Sequence, residues 1–134
     1  MIPFAKDAMD LWPQVAGWLD GALAKTHSLL TVEDLQRNVR NGSMRLWAVS
    51  QNDSLVAAFV TEIVRGGRGG AVNVIALGGK GLVEWLDDVI ESLDAYARAN
   101  DCLYVVEMGR SGWNRALSRR GWVPGPNVMM KVTR

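Results

Sequence analysis

Gly78-Gly-Lys-Gly81 stands between the apolar stretch AVNVIAL, residues 71–77, and a long amphipathic segment that leads into a second apolar stretch, CLYVVEM, residues 102–108. The amphipathic segment, about 82–99, places Leu82, Leu86, Val89, Ile90, Leu93 and Ala97 on one face at helical spacing. Its acids, Glu84, Asp87, Asp88, Glu91 and Asp94, fall mostly outside that stripe. CLYVVEM is apolar at both parities until Glu107, the mark of a strand covered on both faces, as in a parallel sheet. Residues 71–108 therefore read as strand, Gly loop, helix and strand, a right-handed crossover by default.

The flanking sequence completes an α/β order. Residues 11–25 carry Leu11, Val15, Trp18, Leu19, Ala22 and Leu23 on one helical face, with Pro13 in the first turn. Thr31-Val-Glu-Asp34 resembles a capping box, and Asn41-Gly42 a helix stop, so a second helix is expected from there to about Arg40. Residues 44–50 and 55–65 read as strands joined by the turn Gln51-Asn-Asp-Ser54. The RGGRGG run, residues 65–70, is expected to be too flexible for regular structure. After the crossover, residues 111–120 read as a short helix with Ser111 as cap and Gly121 as stop. Trp122 and Val123 begin a last strand, interrupted by Pro124-Gly-Pro126 and finished by Asn127 to Val132.

Composition narrows the class. A chain of 134 residues is one domain on the usual size prior, here residues 1–134, and 49% apolar with 22% charged residues is globular composition. A net charge of +1 selects neither nucleic acid nor an anionic membrane. One cysteine, Cys102, allows no intramolecular disulfide, and with a single histidine, His27, it leaves almost no room for a zinc site. No apolar run is long enough for a membrane span, and the start MIPFAKDAMD lacks the pattern of a signal peptide. A cytoplasmic protein, or one confined to a particle assembled in the cytoplasm, is expected. Six tryptophans spread along the chain are expected as core or groove-lining bulk.

Two helices, an antiparallel meander, a Gly-rich loop into a long helix, a buried strand and the closing Trp113-Asn114-Arg115-Ala116-Leu117-Ser118-Arg119-Arg120-Gly121-Trp122 together resemble the GNAT superfamily of N-acetyltransferases over residues 2–133. The implied fold is a mixed sheet, an antiparallel meander followed by a parallel β-α-β unit, with helices on both faces. The stretch from Gly66 to Trp122, above all Gly109-Arg110-x-Gly112-Trp113, also resembles small GNAT-like proteins of tailed phages and prophages.

The resemblance implies acetyl-CoA as cofactor, with no metal. Ile75, Ala76 and Leu77 would pair with the pantetheine, and Gly78, Gly79, Lys80 and Gly81 would hold the pyrophosphate. The physics of such a loop stands by itself: a helix N-terminus offers unpaired N–H groups and partial positive charge, glycine lets phosphate approach, and Lys80 adds a full charge. The family loop pattern, Gln/Arg-x-x-Gly-x-Gly/Ala, is met cleanly only at Gly81; Gly78 replaces the polar residue and Val83 the last small one. Glu84 and Asp87 would repel a pyrophosphate. Asn114 matches a polar position that touches the cofactor. The tyrosine that often protonates the leaving thiolate is replaced by Leu117, with Ser118 beside it. Base candidates are Glu62 on the long strand and Glu107 at the end of the buried one. His27, in the interhelical loop, falls where acceptor contacts are common in the family.

Two readings of function follow, and a third, weaker one. The first is an acyl-CoA-dependent N-acyltransferase acting on a small-molecule or peptide amine, with a cleft opened by splayed strand ends at 75–77 and 108–109. The second is a catalytically degenerate GNAT-like phage or prophage protein, structural or interacting, forming a homo-oligomer or binding a phage-particle protein, its cleft filled by Trp85 or Trp113. The third, an RNA- or DNA-binding module, rests on RGGRGG and the basic residues after Met108; a nucleic-acid partner is not expected, nor a membrane. No acid occurs from Met108 to Arg134, so the basic end suits ion pairing with the acids of the long helix, self-association or an acidic partner. No Walker A motif, dinucleotide fingerprint or Gly-x-Ser-x-Gly elbow occurs.

Overall fold

In the computed structural model, residues 10–26, 28–108, 117–125 and 128–132 are described. Helices α1 (Trp12–Lys25) and α2 (Val32–Arg40) precede strands β1 (Arg45–Gln51), β2 (Ser54–Gly66) and β3 (Gly69–Gly79). Helix α3 (Leu82–Ala99), β4 (Cys102–Met108), β5 (Val123–Gly125) and β6 (Val128–Val132) complete the chain. The sheet order is β1-β2-β3-β4-β6-β5, and among the described strands only β3 and β4 run parallel. This is the expected mixed sheet.

Local chemistry sets the boundaries. Pro13 occupies the first turn of α1. At α2 both capping-box bonds form: Asp34 N–H donates to the Thr31 hydroxyl (3.1 Å), and Thr31 N–H donates to the Asp34 carboxylate (2.9 Å). Asn52 and Asp53 both take positive φ, so the β1–β2 hairpin closes through a two-residue turn of the kind that suits strand twist.

Three expectations are corrected. RGGRGG is regular: Gly66 pairs with Gly69, so β2 and β3 close through Gly67-Arg68 alone. The cross-strand ladder on both sides supplies the order that glycine composition does not. For the same reason Gly78 and Gly79 belong to β3, bonded along β2, and not to a loop. Pro124 and Gly125 belong to β5, and the C-terminal hairpin inserts β6 between β4 and β5. Of the expected helix at 111–120, Leu117 and Ser118 are helical and residues 111–116 lie outside the described residues.

Each sheet face has its own core. On one face α1 and α2 bring Val15, Leu19, Leu23 and Leu35 against Leu46, Ala58, Val60 and Ala76. On the other, Trp85, Leu86, Val89 and Leu93 of α3 cover Trp47, Phe59, Val72, Val74 and Val105. Trp12, Trp47, Trp85 and Trp122 are buried, as their bulk suggests, and Cys102 is a buried core residue. One acid of α3 meets the basic C-terminal part: Arg120 Nε donates to Asp87 at 2.6 Å. No described helix is long and apolar enough to cross a membrane.

Candidate acyl-CoA edge

Parallel pairing of β3 with β4 passes through Val72–Val105 and Asn73–Val106 and ends at Val74–Glu107. A bulge accompanies the break. Between the pairs Thr61–Val74 and Val60–Ala76, β3 has one residue more than β2, so Ile75 has no opposite number. A bulge bends its strand and sharpens the twist. Beyond it β3 follows β2 to Gly79, whereas Met108 of β4 pairs with Val128 of β6. The β3 edge from Ile75 to Gly79 thus carries no β4 pairing among the described residues. Met108 is the last described residue of β4, and Gly109, the far side of the expected splay, lies outside the described residues.

The edge leads straight to the N-terminus of α3. Lys80 N–H donates to the Val56 carbonyl (2.8 Å), which anchors the loop to β2. The Trp85 indole N–H donates to the Lys80 carbonyl at 2.6 Å, fastening the loop from below. Gly81 is the N-cap, left-handed at φ 70, and no side chain caps α3 there. Glu84 N–H donates to the Gly81 carbonyl at 2.9 Å; the N–H groups before it, at 82 and 83, are the first-turn donors that a helix leaves without intrahelical acceptors, with partial positive charge. Lys80, which directly precedes the N-cap, is exposed.

The glycines have different causes. A Cβ on Gly78 would run into the Trp18 carbonyl of α1, and one on Gly79 into Val56 and Ala57 of β2. Gly79 also has φ +144, a conformation that side chains avoid. Close packing therefore explains both. A Cβ on Gly81 would meet nothing nearer than 3.6 Å, so its glycine answers to backbone conformation at a site that stays open.

Charge at the mouth is mixed. Glu84, in the first turn, lines a groove of about 500 Å3 together with Asp53 of the β1–β2 turn. Asp87, the other acid feared at this end, is turned to Arg120. Trp85 lies in the core under α3, in one cluster with Trp47, Phe59, Val74 and Leu77. Trp113, Asn114 and His27 lie outside the described residues.

The two candidate bases do not converge. Glu107 is buried and opposes Val74, whose side chain lies in the α3-side core. Glu62 is half-buried and opposes Asn73; its neighbours Thr61 and Ile63 face the α3 side, which puts Glu62 on the α1 face. They stand on opposite faces of the sheet. Leu117 is buried in the α3-side core, so the position offers packing and no hydroxyl. No group of three or more His, Cys, Asp or Glu among the described residues is placed to hold a metal ion.

No protein-family model and no curated protein sequence matches this chain. Solved structures do. A probable acetyltransferase from Staphylococcus epidermidis superposes with a TM-score of 0.73 over 100% of this chain and 99% of its own, at 12% identity. AtaTR bound with AcCoA gives 0.68 over 99% and 93%, at 13% identity. The AtaT-AtaR complex bound to DNA gives 0.66 over 98% and 93%, also at 13% identity. A DNA-bound complex among such neighbours lends no support to the expectation against nucleic acid. At these identities the likeness speaks for architecture, and the chain shares the fold of these structures.

Proposed function

We propose that the chain binds an acyl-CoA along the open edge of β3 and transfers its acyl group to an amine. The observation that carries this reading is the end of β3–β4 pairing at Val74–Glu107 among the described residues, beside the uncapped N-terminus of α3. An exposed strand edge takes up an amide-containing chain by main-chain hydrogen bonds. Pantetheine is such a chain, and the backbone of Ile75, Ala76 and Leu77 is its partner. The outward N–H groups at the start of α3, Gly81 and the Lys80 ammonium hold the pyrophosphate. Glu84 opposes it and lowers the affinity. Asn114 is assigned to the cofactor by the family resemblance alone. The AcCoA-bound neighbour favours the same ligand.

The bound thioester supplies an activated acyl carbon. A neutral amine attacks that carbon, the C–S bond breaks, and the thiolate leaves. The ammonium must first lose a proton, and the thiolate must gain one. Glu107, at the last paired rung, is the candidate base on the α3 face, and Glu62 is the alternative on the α1 face. Leu117 donates nothing, so water protonates the thiolate in this reading. The test is thiol release from acetyl-CoA with a panel of small and peptide amines. Glu107→Gln should lower kcat at least about tenfold while leaving KM for acetyl-CoA little changed. Equal rates in wild type and in both Gln variants would remove both carboxylates from the chemistry.

The buried Leu117 favours a second reading. A fold of this kind without the hydroxyl acid serves as a degenerate scaffold, a phage or prophage component that forms an oligomer or docks on a particle protein. The two readings separate on acyl-CoA binding. In either, the protein acts as one domain in the cytoplasm, or in the second on a virion.

A further inference from the structure

At the end of β3 opposite the Gly loop lies a groove of about 900 Å3, lined among others by Arg40, Arg45, Thr61, Arg65 and Tyr96. The three arginines come from three places: the end of α2, the start of β1 and the end of β2. No acid is among its described lining residues. Arg40 and Arg65 are exposed and make no ion pair among the described residues. Arg65 does donate to the Asn100 carbonyl at 2.7 Å, a neutral acceptor that orients the guanidinium and leaves its charge in place.

Arg45 is held differently. Its guanidinium carbon lies 5.0 Å from the centre of the Trp47 ring and 5.1 Å from that of Tyr96. Trp47 is itself fixed: it stacks on Phe59, meets Tyr96 edge-on, and donates from Nε1 to the Thr61 hydroxyl at 3.0 Å. An aromatic mount of this kind sets a guanidinium in one orientation before any ligand arrives. A chain of net charge +1 thus gathers three arginines around one groove with no carboxylate among its described lining residues. The charges of Arg40 and Arg65 are answered by no ion pair among the described residues.

We propose that this groove is a second ligand site, for a phosphorylated small molecule of nucleotide size. The guanidinium fork matches phosphate oxygens two at a time. A volume of about 900 Å3 is in the range of small-molecule sites and much larger than one inorganic anion needs. Arg45 is the fixed fork, Arg40 and Arg65 are the flanking clamps, and the Thr61 hydroxyl and Tyr96 line the same space. The site is independent of the acyl-CoA edge, which lies at the other end of the strand.

Calorimetric titration of the full chain tests this, with ATP, with inorganic pyrophosphate and with a ten-nucleotide single-stranded RNA. ATP should bind with 1:1 stoichiometry, more weakly as salt rises. Arg40→Glu and Arg65→Glu, both at exposed positions, should each weaken it at least about tenfold. Lys25→Glu makes the same charge change on exposed α1 and should leave ATP affinity within about twofold. Lys80→Glu should weaken acetyl-CoA and leave ATP unchanged, so failure of one site does not count against the other. Should either arginine variant lose its native fluorescence, Arg45→Lys replaces it; that variant keeps the charge, gives up the fork, and should still weaken ATP severalfold. The assignment is overturned by no ATP binding up to about 10 mM, by equal losses in Lys25→Glu, by loss of ATP binding in Lys80→Glu, or by RNA binding where ATP does not.

Discussion

The two halves of β3 share a strand and differ in their neighbours. From Gly70 to Val74 it is paired on both edges, with β2 on one side and β4 on the other. From Ile75 to Gly79 it is paired with β2, and no described residue of β4 pairs with it. The first half is closed by a two-residue turn and belongs to the structure. The second half is held by β2 and is packed against α1 at Gly78; its other edge is where the proposed acyl-CoA would pair. The proposed site needs no flexible loop: a single extra residue, Ile75, bulges β3 where its described pairing with β4 ends, and the loop behind it is tied by Val56 and Trp85.

The largest test of that contrast is among the glycines. Gly79→Val meets both a clash and a forbidden φ, and should cost about 3 kcal/mol or more in urea unfolding. Gly78→Ala should also be costly, because its Cβ meets the Trp18 carbonyl. Gly81→Ala, in open space at positive φ, should cost only about 1 kcal/mol. Equal losses at Gly79 and Gly81 would break the distinction between packed and open glycines.

Trp85→Phe comes next. It keeps the ring in the core and removes the indole donor from the Lys80 carbonyl, for a loss of about 1 kcal/mol. The sharper readout is amide exchange, which should quicken at Lys80–Gly81 and stay unchanged at Gly66–Gly69. Uniform quickening would mean that Trp85 supports the whole sheet and not the open end.

The smallest effect lies away from the splay. The Thr31 backbone N–H above all, then the Arg37 guanidinium and the Thr31 hydroxyl, hold the Asp34 carboxyl below its ordinary value. A depressed carboxylate contributes stability above its unfolded pKa and loses it as pH falls through the lower folded value. Wild type should therefore lose thermal stability faster than Asp34→Asn as pH drops below about 4, with no difference between their slopes above pH 5. Parallel curves throughout would show that the capping box contributes nothing measurable. The β3 splay should not respond, which marks the two regions as separate.

Much of the frame was legible in the residues. The capping box of α2, its Asn41-Gly42 stop, the amphipathic stripe of α3 and the two-faced burial of β4 are local signals with local causes. The RGGRGG turn was misread because glycine composition reports freedom in an isolated chain, whereas the β2–β3 ladder removes it. Gly78 and Gly79 looked like phosphate-loop residues because the sequence cannot show that α1 and β2 press on them. The bulge at Ile75 carries no signature residue at all. Glu62 and Glu107 could be named from the chain, but only the register with Asn73 and Val74 puts them on opposite faces. The arginine groove joins residues 25 positions apart, and no spacing announces it.

The central claim is that the open half of β3 seats an acyl-CoA. The most direct measurement is calorimetric titration of wild type and Lys80→Glu with acetyl-CoA at moderate salt. Micromolar binding that weakens at least about tenfold in Lys80→Glu, with an unchanged thermal midpoint, is the predicted result. No heat of binding to wild type up to millimolar acetyl-CoA would contradict it and leave the splay as architecture without a cofactor.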